Sequence, residues 1–243
     1  MKHLKTIISV SVILASVSCV KTPSAGCGQV SFGISADQQV TDMTRSNVAD
    51  YTTNPSPEDF TIEITGPQDY NWKGKISEWN VGTLLLEGEY SVIANYGTIE
   101  EEGYDKPFYT GAEAFEVAGG QTTQVSVPVS LGNTIVKLSY SEAFQKYFND
   151  YSFKFSRSGF DIATVSKDET RAVFVDGYML TLSGELESES KTYSFSRSYS
   201  DLNPATAYTF NLDVSNVGAA SITITFKEGY SETIDLGNLE LND

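Results

Sequence analysis

The residues able to do chemistry are few, and the first is Cys19. It ends an apolar run and follows the small residues Ser16 and Ser18. A cysteine in that place is where a bacterial lipoprotein signal is cut and where the sulfur receives a diacylglycerol. Ahead of it, Lys2, His3 and Lys5 make a basic segment, and Ile7 to Val17 make an apolar stretch too short to span a bilayer comfortably. Ser16 occupies the position that such signals usually give to Leu. The rival reading is an ordinary secretory signal with a chance cysteine. The expectation is a signal peptide over 1–18 and a lipidated tether over 19–27. A lipidated Cys19 cannot pair with Cys27, so Cys27 is expected as a lone thiol, buried at the start of the first strand.

The next candidates are carboxylates. Glu100, Glu101, Glu102 and Asp105 offer oxygen ligands for calcium, but no Asp-x-Asp-x-Asp-Gly loop accompanies them. Paired acids also serve glycoside hydrolysis, yet in a chain with 32 Asp and Glu some pair is always at hand. His3 is the one histidine and leaves with the signal. That excludes Ser–His and Cys–His catalysis and histidine-based zinc or copper sites. No enzyme, cofactor or metal is therefore expected. Loss of residues 1–18 takes Lys2 and Lys5 and no acid, leaving 14 of the 16 basic residues against 32 acids, a formal charge of −18. Such a chain has no basic patch for nucleic acid or anionic lipid. Membrane attachment must come from acyl chains, at roughly 0.8 kcal/mol per buried methylene.

Exposed aromatics stack on sugar rings, and Trp72, Trp79 and Tyr70 lie close together in the sequence. The competing reading places both tryptophans in a core.

These residues must be positioned by strands. GQVSFGIS (28–35) and DFTIEITG (59–66) alternate apolar and polar residues, the period of a half-buried strand. Residues 36–59 between them are polar and rich in turn formers, a long loop. Pro67 to Asn71 reads as a turn; residues 82–86, 89–96, 113–117 and 121–131 read as strands. Beyond Gly132, strands are expected at 132–141, 151–157, 171–175, 178–187, 191–198, 205–214, 220–227 and 231–236. One helix is expected over 142–150, capped by Ser141. LEGEYSVIANYG (86–97) and LNPATAYTFNLDV (202–214) each set a turn before a strand whose first inward residue is Tyr90 or Tyr208. This is the pattern of a tyrosine corner, whose hydroxyl bonds back to nearby backbone. The second copy has the Leu-x-Pro-x-Thr-x-Tyr signature of fibronectin type III-like sandwiches. The prediction is an all-β chain of two tandem antiparallel β-sandwiches, Ig-like or transthyretin-like, over 28–131 and 132–243.

The Cys19 signal, GQVSFGIS, EDFTIEITG, LLEGEYSVIANYG and the run from Asp105 to Phe153 together resemble a Bacteroidales lipoprotein family known only as a domain of unknown function, fimbrillin-like in layout. The resemblance covers most of 19–165. It implies a membrane-anchored two-sandwich protein and no known activity. Some fimbrillin-like subunits are cut after an Arg near the first strand, which makes Arg45 a candidate processing site; the alternative is a solvated loop residue. The expected function is a non-enzymatic outer-membrane lipoprotein, lipid-anchored, at the cell surface as an adhesion, assembly or spacer component with a protein or glycan partner. A periplasm-facing placement stays open. The alternative is a glycan-binding lipoprotein of a polysaccharide-uptake system.

Overall fold

The structure is a computed structural model that describes residues 26–41, 46–189, 191–216, 219–226 and 230–236. Before residue 132 come β1 (Cys27–Asp37), β2 (Thr61–Gly66), β3 (Tyr70–Lys75), β4 (Leu85–Leu86), β5 (Gly88–Tyr96), β6 (Gly103–Tyr104), β7 (Tyr109–Val117) and β8 (Thr122–Leu131). After it come β9 (Thr134–Tyr140), α1 (Glu142–Tyr147), β10 (Asp150–Arg157), β11 (Phe160–Ser166), β12 (Val173–Val175), β13 (Met179–Ser188), β14 (Lys191–Ser200), β15 (Ala207–Asn216), β16 (Ala219–Thr225) and β17 (Glu232–Asp235). The chain is all-β, as its alternation requires. The short helix sits where predicted, with the Ser141 hydroxyl accepting from the Phe144 N–H at 3.0 Å.

The first unit is one sheet, ordered β3-β2-β5-β7-β8-β1-β4, that folds over on itself. β7 and β8 pair only at Tyr109 with Leu131 and Thr110 with Ser130. At the next residue, Gly111, a Cβ would stand 1.8 Å from the Pro128 carbonyl oxygen, so only glycine admits this approach. Beyond these pairs the two strands stay neighbours without a regular ladder, the Thr123 hydroxyl donating to the Glu116 carbonyl at 3.1 Å, and each carries one of two facing wings. Val30, Val125 and Val127 of one wing and Ile62, Ile64 and Val92 of the other belong to a single buried core. Burying each of these side chains contributes about 1.5–3 kcal/mol.

The second unit is a sandwich of two sheets, β11-β10-β13-β14 and β17-β16-β15-β9-β12-β6, closed on a core rich in Phe and Tyr. Both predicted tyrosine corners are present. The Tyr90 hydroxyl donates to the Leu86 carbonyl at 3.0 Å. The Tyr208 hydroxyl accepts from the Asn203 N–H at 3.1 Å. Gly66 is fixed by the first corner, since a Cβ there would meet the Tyr90 ring at 2.1 Å.

Several expectations need correction. Residues 70–75 form a strand, where a turn was predicted to reach Asn71, because Trp72 opposite Ile64 continues the β2 ladder. The stretch 82–86 shrinks to the two residues of β4, leaving Val81 and Leu84 exposed. β11 was not anticipated. Two ladders are parallel: β1 with β8, from Gln29–Thr122 to Asp37–Ser130, and β9 with β15, from Ile135–Ala207 to Tyr140–Leu212. Period-two alternation reports which face is buried and is blind to strand direction; both pairs are far apart in sequence, as parallel pairing demands.

The boundary at 131/132 is crossed repeatedly. β6 lies within 28–131 yet pairs with β12 of the second unit, Tyr104 opposite Val173. On β9, Ile135 packs in the first core and Val136 in the second; on β12, Phe174 packs in the first and Val173 and Val175 in the second. Where these strands are buried on both faces, at Ile135–Val136 and Val173–Val175, apolar residues follow one another without alternation. Thr41, from the long loop, exchanges backbone bonds with Ala205 and Ala207, at 2.8 and 2.9 Å.

Candidate functional site

Cys19 and Arg45 lie outside the described residues. The site that can be built from the described residues is the first strand, β1, and its surroundings. Gly26 accepts from the Glu87 N–H at 3.0 Å, and Cys27 accepts through its carbonyl from Gly120 N–H at 2.8 Å. Cys27 pairs with Leu86 across to β4 and is half-buried, with a free thiol. β1 then runs beside β8 toward the second unit, and the chain reaches Ala205 and Ala207 through Thr41. The Cys27 end of β1 is therefore at the pole of the first unit opposite the second.

The aromatic candidates line this strand from the inside. Trp79 is only 8% exposed, and its indole N–H donates to the Val30 carbonyl on the outer edge of β1 at 2.8 Å. Its ring meets Phe32 at 5.4 Å and Trp72 at 5.0 Å, both edge-on. Tyr70 stands edge-on to Tyr90 at 5.9 Å, and Tyr90 stacks on Phe115 at 5.5 Å. Burial raises the pKa of both tyrosine hydroxyls; for Tyr90 the neighbouring Tyr70 and Cys27 add to it. Trp72 and Tyr70 are half-buried against the same core. The three rings expected as a stacking platform thus close the open side between the wings. Trp79 has no face free for a sugar, which removes the pair on which glycan stacking depended.

The acidic loop is spent on ion pairs. Glu102 accepts from Arg157 Nη2 at 2.8 Å and from the Asp176 N–H at 2.7 Å, and Arg157 also pairs with the Asp176 carboxylate. Burial raises the Glu102 carboxyl above its ordinary value, against the lowering effects of the Asp176 N–H and Arg157. Glu101 pairs with Lys106 at 3.3 Å. Arg171 sits 4.3 Å over the Tyr104 ring, 3.6 Å from Asp105, and holds Glu169 at 2.8 Å. Hydrogen bonds from the Arg171 side chain and N–H bring the Glu169 carboxyl down to about 2. Among the described residues, no three His, Cys, Asp or Glu are grouped to hold a metal ion.

Glu102–Arg157–Asp176 and Tyr104–Arg171 both join residues from either side of the boundary. Sequence reasoning missed them, because the partners lie 55 to 74 positions apart. The available signal was the Gly103–Tyr104 pair inside an otherwise acidic loop.

The chain as a whole is an all-β protein built around a gripped N-terminal strand. It belongs to the family described as a domain of unknown function, DUF4493, which matches residues 26–236. No curated protein matches it. Among solved structures it is similar to a protein of Bacteroides ovatus provisionally described as a cell adhesion protein, with 14% identity, 88% of this chain and 99% of that one covered, and a TM-score of 0.46. It is also similar to one of Bacteroides thetaiotaomicron provisionally described as polysaccharide-binding, with 11% identity, coverage of 86% and 98%, and a TM-score of 0.42. At such identity and overlap neither name transfers to this chain.

Proposed function

We propose that the chain is a non-enzymatic lipoprotein of the outer membrane, held by acyl chains on Cys19, that presents its two units at the cell surface as an adhesion, assembly or spacer component. The observation that carries the reading is the direction of β1. It enters at the pole of the first unit remote from the second and runs toward it for 11 residues, about 35 Å. Only six residues separate Cys19 from Gly26, a span of at most about 25 Å. An anchor at Cys19 would hold the first unit near the bilayer and leave the second unit outermost, where a protein or glycan partner would meet it. The cross-boundary ion pairs and shared strands would keep that projection stiff.

The test is metabolic labelling with a palmitate analogue, followed by protease treatment of intact cells. Labelling lost in Cys19→Ser, with digestion of the wild-type protein while a periplasmic control survives, supports the reading. Unlabelled protein in the soluble fraction overturns the anchor. Labelled protein that resists digestion until the outer membrane is opened overturns the surface placement.

A further inference from the structure

We propose that β1 and β8 form a mechanical clamp, so that the fold bears tension applied between its N-terminal attachment and its second unit. The geometry of the ladder carries this. β1 and β8 are parallel over nine residue pairs, Gln29–Thr122 to Asp37–Ser130. In a parallel ladder the N-terminal ends of both strands lie together. The attachment pulls on the N-terminal end of β1. The second unit pulls on the C-terminal end of β8, because Leu131 leads through Gly132 and Asn133 directly into β9. The two pulls act at opposite ends of the ladder and along it. Every inter-strand bond is then loaded at once, and none breaks until many do. Had β1 been antiparallel to β8, the same two pulls would act at one end and open the bonds one after another.

Other details fit a loaded ladder. The Gln29 N–H donates to the Gln121 carbonyl at 2.9 Å, so the odd residues of β8 face β1. Pro128 is even-numbered, and its missing N–H falls on the side away from β1, leaving the clamp uninterrupted. The outer edge of β1 is fastened as well, by β4 at Cys27 and Gly28 and by the Trp79 indole at Val30. At the far end Thr41 pairs with Thr206, again in parallel, so the strand hands its load to the second unit without reversing direction.

The use of the clamp rests on the anchored reading above, but its strength does not, and the test separates them. Single molecules of residues 19–243 carrying Cys19→Ser and Cys27→Ser are pulled in two geometries. One attaches handles at the N-terminus and at Lys146→Cys, an exposed site on α1 beyond β9. The other uses the N-terminus and Gln121→Cys, next to the N-terminal end of β8, where the same ladder is peeled. The expected result is a rupture force several-fold higher in the first geometry, releasing roughly 350 Å as the first unit unravels. Equal forces in the two geometries overturn the proposal, as does a first rupture that releases only residues 132–146, about 50 Å, while the first unit stays folded. Either outcome leaves the palmitate and protease results untouched.

Discussion

Replacing Arg157 by Met tests whether the two units are held by a charge network or by apolar contact alone. The Arg157 and Glu102 side chains are 26% and 9% exposed, and Asp176 completes the group. Removing one partner of a fully buried pair costs about 3–5 kcal/mol, because the other charge is left uncompensated. Arg157 is a quarter exposed, which trims the expectation to about 2–3 kcal/mol, or about 1 M in the urea midpoint for a chain of this size. The pH dependence follows from Glu102. Its carboxyl is raised in the folded state, chiefly by burial. A raised carboxyl binds its proton more tightly folded than unfolded. The associated stability is full below the unfolded carboxylate range and is lost as pH rises through the folded value. Arg157 is among the groups that lower that carboxyl, so Arg157→Met raises it further. The penalty should be largest near pH 7 and shrink toward pH 4. In a Glu102→Gln background, the amide oxygen still accepts from the Asp176 N–H, and the cost of Arg157→Met should fall below about 1 kcal/mol. Urea unfolding of the four proteins at pH 7 and pH 4.5 measures all of this. An equal loss at both pH values, or in both backgrounds, refutes the reasoning.

Other outcomes are equally open to measurement. Tyr90→Phe and Tyr208→Phe each remove a corner hydrogen bond and should each cost about 1 kcal/mol in urea unfolding, additively, since they sit in different cores. Gly111→Ala drives a methyl into the Pro128 carbonyl and should cost about 1–3 kcal/mol or prevent folding; a wild-type midpoint would mean the wings do not approach as described. Glu169 should titrate by NMR near 2; its folded value is depressed, so its contribution is present above the ordinary carboxylate range and is lost as pH falls through about 2. Arg171→Ala should move that titration up toward the ordinary range without reaching it, because the residue 170 and 171 N–H groups still donate to the carboxylate.

Much of the architecture is legible in alternation. Val30, Ile62, Ile64 and Val92 are inward as their period requires, and the spacing of Tyr90 and Tyr208 from the preceding turns announces both corners. Strand direction is not legible, because a side chain's face is the same whichever way its neighbour runs. The candidate site was legible only in part. Tyr70, Trp72 and Trp79 do converge, but composition cannot say whether an aromatic cluster faces water or closes a gap between wings. The ion pairs of Glu102 and Arg171 were hidden because Arg157 and Arg171 sit at the ends of predicted strands far from the acidic loop in sequence, and alternation does not say which distant residues meet.

The double-sided burial of β9 and β12 has a consequence for synthesis. The first core includes Ala172 and Phe174, which are translated well after β8. That core cannot be completed when residue 131 leaves the ribosome; it waits some forty residues more. Until Phe174 arrives, the face it will cover stays open to chaperones, to proteases and to other chains. A cut at 131/132 makes the delay permanent: each fragment carries apolar surface that only the other can cover. The two halves are therefore expected to be poorly soluble apart and to recover a fold when co-expressed, so that the chain, though built from two sandwiches, matures as a single object.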